Sequence, residues 1–214
     1  MAELWIENLR QWGYLLSAII IPLAAYILGR KVFKEKREKG QYNPVRLLIF
    51  IVFSLFATMT VIEFFVELNI SPVLNQLFGN NIETINLYSI LIGSMASLGL
   101  TLVFYANRWE ALYYLTVFIF GGMIIFYYLT GFDAWVEPYI IMAGLGSLIF
   151  MYLTGFRLKD NGALGIAIIF TLSFSTLLVE SSMMNQILIL TYDIFILVFS
   201  LGLFKPFRAK EVVN

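Results

Sequence analysis

The chain has 214 residues, 60% of them hydrophobic and 13% charged, with 14 basic and 14 acidic side chains. Water-soluble domains carry about 25% charged residues, so this composition excludes a soluble globular protein, and a net charge of zero gives no reason to expect nucleic acid as a partner. Histidine and cysteine are absent, which excludes disulfides, thiol nucleophiles, thiolate or imidazole metal sites and histidine acid–base catalysis.

Seven apolar stretches approach or exceed the ~20 residues that cross a ~30 Å hydrocarbon core. They are read at about 13–30, 46–68, 85–106, 110–131, 135–156, 162–181 and 185–204. Together they predict one all-α polytopic domain over 1–214, a seven-helix transmembrane bundle. Trp5, Trp12 and Tyr14 precede the first span as an interfacial segment, because Trp and Tyr favour the headgroup level. The start lacks the basic region of a cleavable signal peptide, so the first helix is expected to be its own insertion signal. Pro22 predicts a kink in it.

The charged stretch Arg30, Lys31, Lys34, Lys36, Arg37 and Lys39 follows. It reads as a stop-transfer signal on a helix that extends past the membrane, and as a surface for anionic lipid or a cytoplasmic partner. Pro44 precedes the second span, and Glu63 and Glu67 share a face near its outer end. Gly79-Asn80-Asn81 marks the longest outer loop. Small residues such as Gly93, Gly99, Gly121, Gly122, Gly144 and Gly165 predict close helix approach. Gly131 and Gly155 are expected to end the fourth and fifth helices, Pro138 lies in a first turn, and Pro206 stops the last helix.

Orientation follows from the cations. With the N-terminus outside, every Lys and Arg of the 14 except Arg10 falls on the inner side, while Glu3, Glu7, Glu67, Glu83, Asp133, Glu137 and Glu180 collect outside. The reading is therefore a multi-pass protein of the cell membrane, N-terminus out and C-terminus cytoplasmic.

Asp193, in Thr191-Tyr192-Asp193-Ile194, is the sharpest feature. An acid near the middle of a span is expensive and marks a functional site by default. No span offers a mid-membrane Lys or Arg to pair with it. Glu63, Glu67 and Glu180 lie toward the same side, so with Asp193 and Tyr192 they outline an acidic vestibule suited to a cation or proton.

The last span, Tyr192-Asp193-Ile194-Phe195-Ile196-Leu197-Val198-Phe199-Ser200-Leu201-Gly202, is similar to the Leu-Asp-x-x-x-Lys-x-x-x-Gly region of the microbial rhodopsin family. Gly121-Gly122-Met123-Ile124-Ile125, Leu153-Thr154-Gly155-Phe156 and Trp12 through Tyr26 also resemble patterns of that family. The resemblance implies a rhodopsin-like bundle and puts Asp193 at the second counterion position. Leu197 stands where the retinal-bearing lysine belongs, and Asn86-Leu87-Tyr88-Ser89-Ile90 replaces the Arg-x-x-Asp-Trp stretch. Covalent retinal and light-driven pumping are therefore not expected. Asn107-Arg108-Trp109 is similar to the eukaryotic-type receptors at one point only, since their Asn-Pro-x-x-Tyr is missing.

The sequence thus predicts a non-enzymatic receptor or sensor. It would bind a ligand within the bundle and signal through its basic inner surface to a separate partner, alone or as a homo-oligomer. No cofactor is expected, and a non-covalent chromophore or lipid stays open. The alternative is a proton or cation channel or transporter using Asp193 and Glu63. An intramembrane enzyme ranks last, because no acid pair has a recognised catalytic spacing.

Overall fold

A computed structural model describes residues 2–68, 87–179 and 182–207. These form helices and connecting turns, with no strand among the described residues. The helices are α1 (Ala2–Lys39), α2 (Pro44–Glu67), α3 (Leu87–Asn107), α4 (Leu115–Thr130), α5 (Val136–Leu158), α6 (Asn161–Leu178) and α7 (Ser182–Leu201), with a short 3-10 turn at Glu110–Leu112. Six are long and apolar enough to cross a membrane, while the apolar stretch of α6, Asn161–Thr176, is shorter. The protein is a membrane-embedded, multi-pass helical bundle.

Local chemistry sets the helix ends. The Asn43 side chain accepts from the amides of Val45 and Arg46, and Pro44 follows it at the first helical position, where its missing N–H is no loss. Asp160 caps α6 in the same way through the amides of Gly162 and Ala163. Gly131, at φ 72°, closes α4 in the left-handed conformation that glycine adopts most readily. Gly155 does not end α5, contrary to the expectation. The helix continues to Leu158, and Lys159 takes the left-handed cap at φ 52°. Gly155 is instead buried against α6, where a Cβ would lie 2.9 Å from the Leu164 amide nitrogen.

The helices close into a ring. Helix α1 packs between α2 and α7, α2 passes to α3, α3 to α5, α5 to α6 and α6 back to α7. Helix α4 stands outside this ring, mainly against α3. Gly13 meets Gln186 near the start of both α1 and α7, and Lys31 meets Ser200 toward their ends. The first and last helices therefore run parallel.

Helix α4 shows which solvent the fold is built for. Its Phe118, Ile125 and Leu129 face outward with 75%, 63% and 78% of their surface open. Its Thr116 is buried in a hydroxyl cluster, 2.9 Å from Thr101 Oγ1 and bonded to the Ser97 carbonyl, while Tyr139 of α5 donates to the Thr116 carbonyl. Apolar outside and hydrogen-bonded inside is the arrangement that lipid favours, because an unpaired polar group in hydrocarbon is costly. The small residues divide accordingly. Gly93 and Gly165 receive the rings of Phe120 and Phe199, whereas Gly121, Gly122 and Gly144 face open space, so the expectation of close helix approach fails at those three.

Candidate functional site

The α1–α7 seam carries the buried acid. Asp193 is 1% exposed, and its Oδ2 accepts a 2.8 Å hydrogen bond from Ser17 Oγ of α1. Its Oδ1 is buried without a hydrogen-bond partner among the described residues. Ile196, Ile21 and Ala24 pack around this level, each almost fully buried. Pro22, within α1, has no N–H to offer the carbonyl of Ala18, so the helix backbone is incompletely bonded one residue from Ser17. Buried unpartnered polar atoms are uncommon in proteins and each needs a reason.

Toward the start of the same seam, Gln186 sits against the Cα of Gly13, where a Cβ would come 2.7 Å from its Oε1. That oxygen is also buried without a hydrogen-bond partner among the described residues, as is Oδ1 of the preceding Asn185. Gln186, Asp193 and Ser200 recur at seven-residue steps, which keeps them on one face of α7. Sequence reading missed Ser17 and Gln186, since a lone Ser or Gln in an apolar helix is a weak signal. For Gln186 the heptad spacing to Asp193 was the available clue.

The other predicted site residues fall in three groups. Tyr192 is buried, its ring edge-on to Phe56 of α2 at 5.8 Å. Its hydroxyl lies close enough to Glu63 and Asp193 to interact electrostatically with both, and beside Ser173. Glu63 is partly buried. Glu67 is the last residue of α2, and its side chain lies outside the described residues, as does all of Glu180. Two cavities lie elsewhere, toward the end of α1, and neither is lined by Asp193 or Glu63.

The end of the seam toward the close of α1 and α7 is ionic. Helix α1 runs beyond the predicted span to Lys39, so the charged stretch is helical. Lys31 Nζ donates a 2.6 Å bond to the Ser200 carbonyl at the end of α7, a favourable position for a cation. Burial pulls the Lys31 amine below the usual lysine range, and the nearby charges of Arg46 and Lys205 add to this. Glu35, 7% exposed, accepts from Lys39 at 2.7 Å and from Arg46 at 2.8 Å, tying α1 to the start of α2. Asn161 and Phe207 exchange two hydrogen bonds that hold the chain after α7 against α6.

The Glu35 clamp gives a pH prediction. The Lys39 hydrogen bond, aided by Arg46, holds the carboxyl below its ordinary value of 4.5. The clamp's stabilisation is therefore fully present above that value and is lost as pH falls through the depressed one. Spin labels on the end of α1 and the start of α2 are expected to hold a fixed distance at pH 7. They should separate as pH falls through the depressed value, below 4.5, and Glu35→Gln should separate them at neutral pH. A distance insensitive to both changes counts against the clamp.

No protein-family model, curated protein or solved structure gives a match to this chain.

Proposed function

We propose that the protein is a non-enzymatic receptor or sensor of the cell membrane, taking a cationic or apolar ligand beside Asp193. It would signal to a separate partner through the basic end of α1. One observation carries this reading: Asp193 keeps a buried oxygen without a hydrogen-bond partner among the described residues, on the seam that runs to the ionic cluster. A ligand bonding that oxygen would compete with or reinforce the Ser17 contact. It would thereby bias the packing of α1 against α7, which Lys31 joins at Ser200, and through α1 the Glu35 tie to α2.

The same proposal takes α6 as a seventh crossing, with the N-terminus outside and the C-terminus in the cytoplasm. The parallel run of α1 and α7 favours an odd number of crossings, and the near-complete segregation of lysine and arginine favours that orientation. The microbial-rhodopsin-like arrangement stays within the proposal, supported by helix number and by closure of α7 on α1. With Leu197 in place of a lysine, any chromophore would be non-covalent.

A second reading, proton or cation transport, is favoured by one observation: Glu63 of α2 and Asp193 of α7 both lie within electrostatic range of Tyr192. The two separate under one pair of measurements on the purified full chain. A panel of organic and monovalent cations is expected to raise the melting temperature of the wild type and not of Asp193→Asn. Liposomes carrying the wild type should show no proton or cation flux. Flux that disappears in Asp193→Asn would replace the sensor reading with transport. A melting shift that survives in Asp193→Asn would remove Asp193 from the site.

A further inference from the structure

The inner halves of α1 and α2 enclose a groove of about 710 Å³ on the outward side of the bundle. Pro22, Tyr26, Arg30, Phe33 and Arg37 follow at three- and four-residue steps on α1, so they form one face. Gly29 makes the floor possible. A Cβ there would come 2.7 Å from the Phe50 ring, which therefore lies against the α1 backbone. Phe33 meets that ring edge-on at 6.0 Å.

The groove changes character along its length. From Pro22 to Phe33 its lining is apolar apart from Ser54, whose hydroxyl bonds back to the Phe50 carbonyl, and the rim of Arg30. Beyond lie Lys34 and Arg37, and no acidic side chain lines it. Neither arginine has a carboxylate partner among the described residues. Lys34 approaches Glu38 only to 3.7 Å, with both side chains open, and such pairs hold weakly. The face from Pro22 to Arg37 spans roughly 22 Å at ~1.5 Å per residue, which covers one leaflet and its headgroup region.

We propose that this groove binds an anionic phospholipid of the inner leaflet, with an acyl chain along Tyr26, Phe33 and Phe50 and the phosphate held by Arg30 and Arg37. Arginine suits this role because its planar fork meets phosphate oxygens through two donors. An acidic protein segment would use the cationic rim but has no need of an apolar groove two to three turns deep below it. The inference deepens the proposed role of the basic end of α1 and rests on the orientation given above. Lys31, Lys36 and Lys39 lie outside this groove.

The test is lipid retention by the full chain in detergent, read by native mass spectrometry, with phosphatidylglycerol against phosphatidylcholine. Phosphatidylglycerol is expected to be retained preferentially. Arg30→Gln with Arg37→Gln should weaken its retention about thirty-fold, as two cations at ~1 kcal/mol each imply. Ser54→Phe, which fills the groove and keeps the arginines, should also weaken it. Glycerol 3-phosphate, a headgroup without chains, should not compete at equal concentration.

Equal retention of both lipids, or retention untouched by the surface arginine pair, overturns the proposal. So does competition by glycerol 3-phosphate, which would make this a free-phosphate site. Hexaglutamate bound by the wild type and by Ser54→Phe, with no lipid retained, would assign the rim to an acidic protein segment. Asp193→Asn should retain lipid normally, so this result and that of the ligand site are independent. Detergent has no leaflets, so a reversed topology is likewise read separately, by labelling of the intact cell.

Discussion

Asp193→Leu is expected to give a bundle at least as stable as the wild type and unresponsive to ligand. Leucine is similar in shape and removes two buried oxygens, one of which has no hydrogen-bond partner among the described residues. The Ser17 hydroxyl left behind can turn onto a carbonyl of its own helix, as Ser54, Thr60 and Ser97 already do, a bond readily available to helical Ser and Thr. Ser17→Ala acts in the opposite sense. It leaves both carboxyl oxygens without a partner and should cost about 1–2 kcal/mol. Reversible unfolding in mixed micelles measures both changes. If Asp193→Leu is destabilised as much as Ser17→Ala, the acid is structural. If it is stable and silent, the acid is retained for function at a cost in stability.

The second large effect concerns packing. Gly155→Val should cost about 3 kcal/mol, because a Cβ at 155 would meet backbone and Cβ atoms of Leu164 at 2.9–3.1 Å. Backbone cannot turn aside as a side-chain tip can, so α5 and α6 would have to part. Gly144→Val, on the same α5, should stay within about 0.5 kcal/mol, since a Cβ there meets nothing within 4 Å. The pair isolates helix contact from glycine's helix propensity, which both variants change alike. Equal loss at both positions would mean that α5 is not packed as described.

What the sequence made legible was the part governed by periodicity and polarity. Runs of apolar residues located the helices, Pro44 announced one start, and mid-span depth without a basic partner marked Asp193. The glycines were not separable by sequence. Gly155 and Gly144 sit in similar apolar surroundings, and only the neighbouring helix decides which one is buried. Nor does composition tell a lipid-facing apolar helix face from a core face, which is why the outer position of α4 was hidden. Ser17 needed the fold as well, because its partner lies 176 residues away.

That separation has a consequence for how the chain is made. At ~5–20 residues per second, synthesis brings Asp193 out roughly ten to thirty seconds after Ser17. Until then α1 sits in the membrane with an open flank, and the ring cannot close. The contact at the centre of the proposed sensor is thus among the last to form during assembly. A chain cut short before α7 would leave that flank of α1 uncovered.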